Sequence, residues 1–134
     1  MRRAVAVLLT VLVFLAPAPS TASAWPSSQR CTKYEQMYRD HAPKRGWDVR
    51  RMSYYSWRES RCQPAIINVR GNDTGLFQIH PITWRWLAAR FGLRYSFATM
   101  QRWLKDPINN TRAAAALCDF GRRAFGDCYQ PWRT

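Results

Sequence analysis

The sequence is poor in acidic residues, histidine and glycine, with 8 Asp and Glu, 2 His and 6 Gly in 134 residues. Two histidines, no H-E-x-x-H pattern and no C-x-x-C pair among the 4 cysteines leave nothing from which to build a zinc site, and no metal or other cofactor is expected. There is no internal repeat, low-complexity tract or interior linker, which excludes a solenoid or a chain of modules. The length suits one compact domain. The longest uncharged apolar run, Ala4 to Ala16, falls short of the ~20 residues that a membrane-spanning helix needs.

Positive charge is abundant. Lys and Arg number 21, giving a formal charge of +13, and all but Lys33, Lys44 and Lys105 are Arg. Arginine forms bidentate bonds to carboxylate and phosphate, so the expected partner is anionic. Aromatics make up 14% of the chain, with 7 Trp. Arg2 and Arg3, the apolar run and the small residues ending Ala22-Ser23-Ala24 follow the order of a secretory signal peptide with an A-x-A cleavage site. The reading is therefore a signal over 1–24 and a mature domain over 25–134, secreted and extracellular. In an oxidising compartment, Cys31, Cys62, Cys118 and Cys128 read as two disulfides. Three connectivities are open, with a lean towards Cys31 meeting a cysteine of the C-terminal third.

The mature part reads as α+β, mostly helical, with about five helices, a small β-hairpin lobe and a groove between them. The first helix is expected over Cys31 to His41 with Thr32 as a cap, and the second from an Asp48 cap to about Arg61. Pro81 opens a third that Gly92 ends, a fourth covers about Ala98 to Lys105, and a fifth runs from an Asp106-Pro107 cap to about Phe120. Between the second and third, residues 65–79 lack helical period. Gly71-Asn72-Asp73-Thr74-Gly75 lies there between two short apolar runs, which predicts a hairpin.

At 100° per residue, Val49, Met52, Tyr55, Ser56 and Glu59 share one stripe of the second helix. Glu59 thus points where core residues point. A carboxyl against apolar surface resists ionisation, so its pKa is expected to rise towards neutrality, as a general acid requires. The competing reading is an anchoring ion pair with Arg58, Arg61 or Arg112. Asp73 is either a turn residue or a second carboxylate on the opposite wall of the groove, and two carboxyls in unlike environments make the pair used in glycoside cleavage. Gln78, set among apolar residues, needs a backbone or substrate partner.

Glu59-Ser60, then Gly75-Leu76-Phe77-Gln78-Ile79 with Pro81 and Thr83, then Asp106-Pro107-Ile108-Asn109-Asn110, resemble in order the E-S … G-L-x-Q-I-x-P-x-T and D-P-x-x-N elements of the lytic transglycosylases in the lysozyme-like superfamily. The stretch around Asp73 also resembles the segment of animal lysozymes that carries their second carboxylate. The resemblance implies a lysozyme-like fold whose glycan-binding cleft cuts the β-1,4 bond between N-acetylmuramic acid and N-acetylglucosamine in peptidoglycan strands. Glu59 is then the general acid and Asp73 the second catalytic carboxylate. Ser60, Gln78, Ile79, Asn110, Tyr55 and Trp84 become the substrate-binding residues, with Trp86 and Trp57 as further stacking candidates. Anionic wall polymers fit the basic charge. The sequence departs from the family at His80, where Asn is frequent, and in lacking an A-Y-N-x-G segment after Leu117.

Three functions follow for comparison: a monomeric muramidase, with non-hydrolytic transglycosylation as its variant; a non-catalytic wall- or glycan-binding protein of the same fold; and a basic antimicrobial or nucleic-acid-binding protein acting through charge alone. The last gives no role to Glu59 or Gln78, so no nucleic-acid partner is expected.

Overall fold

A computed structural model describes residues 25–133. The signal-peptide expectation for 1–24 lies outside the described residues. Two short 3-10 turns, Ser27–Gln29 and Thr32–Tyr34, lead into α1 (Glu35–Asp40). There follow α2 (Val49–Ser60), a 3-10 turn Pro81–Thr83, α3 (Trp84–Arg90), α4 (Phe97–Leu104), α5 (Pro107–Phe125) and a last 3-10 turn Gln130–Trp132. The five expected helices are present. The first is shorter than expected, because Cys31 to Tyr34 forms a 3-10 turn, and Thr32 sits inside that turn rather than capping it.

Side-chain caps set the helix starts. Asp48 accepts from the Arg51 amide, Ser96 from Thr99 and Asp106 from Asn109, each satisfying a backbone N–H that a helix N-terminus leaves unpaired. Helix α5 runs five residues past Phe120 and stops at Gly126, whose φ of 72° the left-handed cap requires. Gly121 does not break it. That glycine is buried where a Cβ would lie 2.5 Å from the Asp127 carbonyl oxygen, so its small size lets the C-terminal segment fold back against the helix.

The core gathers Tyr38, Met52, Phe77, Trp84, Leu87, Met100 and Leu104 around the alanine face of α5, Ala113 to Ala116. Short side chains there let α1 and α4 pack against α5. Tyr38 is fully buried and donates its hydroxyl to Ser56 Oγ at 2.8 Å. Burial, more than any neighbour, pushes that hydroxyl well above the ordinary tyrosine value.

Two expectations are corrected. The hairpin lobe is not formed, since residues 65–79 make two single antiparallel bridges, Ile67 to Thr74 and Thr74 to Ile79, and no strand. Positive φ at Asn72, Gly75 and Gln78 turns the chain too often for a ladder to extend. The disulfides join Cys31 to Cys62 and Cys118 to Cys128, so Cys31 does not reach the C-terminal third. The first ties Cys31, just ahead of α1, to the end of α2. The second folds the tail onto α5.

Candidate active site

Glu59 occupies the last turn of α2 and lines a cavity of 290 Å³. Phe77, Ile79, Ile82, Leu117, Pro131 and Trp132 give it apolar walls, and Gln78, His80 and Thr83 supply the other polar groups. Among the described residues lining it, Glu59 is the only carboxylate. Its side chain is 27% exposed. The competing reading of an ion pair holds, with Arg58 as the partner: Arg58 donates to Glu59 Oε1 from Nε at 3.0 Å and from Nη2 at 2.6 Å. The same Nη2 donates to the Trp132 carbonyl at 2.5 Å. Oε2 takes no hydrogen bond from the described residues.

The last turn closes the site. Trp132 packs its ring on Tyr55 at 6.1 Å and donates Nε1 to the Phe77 carbonyl at 3.3 Å. Disulfide Cys118–Cys128 holds this tail against α5, and an ion pair of Arg133 with Asp127 at 2.9 Å ties the tail to itself. Sequence reasoning missed Trp132 and Pro131 as walls. The only sequence signal for the tail is its closeness to Cys128.

The other expected site residues separate into walls and supports. Ile79 and Gln78 line the cavity. Gln78 finds its partners in the backbone, donating Nε2 to the Gly75 carbonyl at 2.9 Å and to that of Ile66 at 3.3 Å. Tyr55 is buried behind Trp132 and accepts from Arg51 Nε at 3.2 Å. Trp84 presents no face to a sugar: it is 0% exposed and donates Nε1 to the Ile79 carbonyl at 3.0 Å. Ser60 is buried and donates to the Ser56 carbonyl at 2.8 Å.

Asn110, also fully buried, is a strut. It accepts from the Phe77 amide at 2.9 Å and donates to the carbonyls of Thr74 at 2.8 Å and Leu104 at 2.9 Å. Gly75 lies so close that a Cβ there would run into the Asn110 amide, so the two motifs meet as one packing unit. Asp73 is bound within its own turn. Its Oδ2 accepts from Asn68 Nδ2 at 3.2 Å, its carbonyl accepts from the Asn68 amide at 2.9 Å, and it is not among the cavity walls. His80 caps the Pro81 turn, accepting at Nδ1 from the Ile82 amide at 3.1 Å.

A second concavity of 230 Å³ continues the first, sharing Ile82, Thr83 and Leu117 with it and adding Trp86 and Phe120. Trp86 and Phe120 are both partly exposed and meet edge to face at 5.9 Å. Of the expected stacking residues, Trp86 is the one with its ring in the groove. Among the described residues no cluster of three or more His, Cys, Asp or Glu side chains is placed to hold a metal ion.

A family model, the transglycosylase SLT domain, matches residues 37–130. The chain belongs to that family. It is a peptidoglycan-cleaving enzyme with a lysozyme-like fold, of the class that holds glycoside hydrolases and lytic transglycosylases. No curated protein and no solved structure matches the chain. The SLT match spans Glu59, the Gln78 loop and Asn110.

Proposed function

We propose that this SLT domain is a secreted, monomeric lytic transglycosylase that cuts the glycan strand between N-acetylmuramic acid and N-acetylglucosamine with Glu59 as its only catalytic carboxyl group. The observation that carries this reading is the cavity with one carboxylate among apolar walls. A retaining hydrolase needs a second carboxyl ~5–5.5 Å from the acid. Asp73, expected to fill that role, is engaged with Asn68 and lies outside the cavity walls, which favours transglycosylation over the muramidase reading.

One carboxyl group suffices when the substrate supplies the nucleophile. Protonated at Oε2, Glu59 gives its proton to the glycosidic oxygen as the C1–O bond breaks. The resulting carboxylate then takes the proton of the muramic acid 6-hydroxyl, whose oxygen bonds to C1 and closes a 1,6-anhydro ring. No water is consumed. Gln78 and Ile79 line the wall beside the reacting sugar, and Trp86 and Phe120 bind a neighbouring ring in the continuing groove.

Secretion is supported by the order of residues 1–24 and by the two disulfides, which persist in oxidising compartments. No helix among the described residues is long and apolar enough to cross a membrane. Mass spectrometry of the released muropeptides tests the mechanism, because anhydro products are lighter than hydrolysed ones by one water.

A further inference from the structure

A third cavity, of 200 Å³, is lined by Lys44, Arg45, Asp119, Arg122 and Arg123 and shares no residue with the other two. At about 100° per residue along α5, Arg122 lies about 140° or more and Asp119 about 100° or more from Leu117 and Phe120, which face the glycan groove, while Arg123 borders Phe120 at about 60°. This is a separate basic pocket behind the catalytic cleft.

Two distant elements form it. Pro43–Gly46 is a tight turn, closed by the Gly46 amide donating to the Pro43 carbonyl at 2.6 Å. Arg122 donates to the Gly46 carbonyl and so fixes that turn against α5. Asp119 sits 3.8 Å from Arg122 and is the only acidic group lining the cavity, against four cations. Arg122 and Arg123 complement the carbonyl end of α5, which explains them individually. It does not explain why Lys44 and Arg45, from the other end of the sequence, face the same concavity. Like charges gathered in a recess repel, and the arrangement becomes favourable when an anion occupies it.

We propose that this cavity is an anchoring site for phosphodiester groups of an anionic wall polymer, such as a polyol phosphate. Guanidinium groups fork onto phosphate oxygens, and three arginines with one lysine present several such donors around one point. No aromatic side chain lines the cavity, so it lacks the stacking platform of a site for single-stranded nucleic acid. Its position behind α5 leaves the glycan groove open, so the polymer tethers the enzyme to the wall while the strand is cut. The tethering role rests on the proposed wall-cleaving activity. The anion site does not.

The test is calorimetric binding of poly(glycerol phosphate) to the mature protein, with polyglutamate and a single-stranded oligonucleotide as polyanion controls in the same salt. Arg45→Gln/Arg123→Gln removes two exposed cavity cations, and Arg94→Gln/Arg102→Gln removes two exposed cations elsewhere for the same change in net charge. The cavity pair should weaken poly(glycerol phosphate) binding about tenfold or more, as expected for lost charge-assisted bonds. The other pair should weaken it less than about twofold, since exposed charges are screened. Cleavage of a soluble glycan oligomer should be unchanged in both, so failure of the anchor is read apart from failure of the enzyme. Equal weakening by the two pairs, full retention by the cavity pair, or equally tight binding of polyglutamate or oligonucleotide would overturn the proposal.

Discussion

Arg58 holds Glu59 through two nitrogens on one carboxylate oxygen, Nε at 3.0 Å and Nη2 at 2.6 Å from Oε1. Because Nη2 also donates to the Trp132 carbonyl, the carboxylate and the C-terminal wall share one anchor. The pair fixes which oxygen of Glu59 stays free of a protein hydrogen bond among the described residues. Arg58→Met should therefore lower kcat by about tenfold or more with a smaller change in KM, since positioning of the acid is lost while the glycan groove remains. Arg58→Lys, which cannot fork onto the carboxylate, should recover little of it. Steady-state kinetics on a soluble glycan oligomer decide this, and an unchanged kcat in both variants would show that Arg58 does not position Glu59.

Asp73→Asn should keep at least about a third of the activity, because the residue serves the turn with Asn68 and not the reaction. A loss of about 10²-fold or more, the contribution of a positioned acid–base group, would restore Asp73 as a second catalytic carboxylate.

Asn110→Ala should be severely destabilising. It strands the Phe77 amide and the carbonyls of Thr74 and Leu104 in the core, a loss of about 3 kcal/mol or more. For a domain of this size, a thermal midpoint lower by about 10 °C or more follows, read by circular dichroism. Conserved folding with selective loss of glycan binding would instead make Asn110 a substrate ligand.

Tyr38 makes stability sensitive to alkali. Its folded-state pKa is raised, mainly by burial, so the native state keeps the phenolic proton after the unfolded chain has released it. The stabilising contribution is complete below the ordinary tyrosine pKa of about 10 and is lost as pH rises from there towards the folded-state value. Urea unfolding at rising alkaline pH should show this decline, and Tyr38→Phe should flatten it. An equally steep decline in the variant would place the sensitivity on another group.

Much of this was legible in the sequence because it depends on neighbours along the chain. Asp48 and Asp106 cap helices through amides three positions on, and the stripe from Val49 to Glu59 follows from helical period. The ordered motifs marked the family. Contacts between distant segments were not legible. Cys31 could pair with any of three cysteines, and which one depends on where the end of α2 returns. Asn110 reads as a polar site residue until Gly75 and the Leu104 carbonyl are seen around it. Trp132 carries no motif, and it becomes a wall of the cleft because Cys118–Cys128 folds the tail onto a glycine of α5. The hairpin was expected from turn residues flanked by apolar pairs, but turns that follow one another so closely leave no length for a ladder.

The most direct measurement is mass spectrometry of the soluble muropeptides released from purified peptidoglycan by the mature protein and by Glu59→Gln, an isosteric change that preserves the helix. The wild type should release 1,6-anhydromuramic acid ends, and the variant's release rate should fall by at least about 10²-fold. Reducing ends bearing the elements of water, or a Glu59→Gln variant that keeps more than about a tenth of the wild-type rate, would contradict transglycosylation by Glu59.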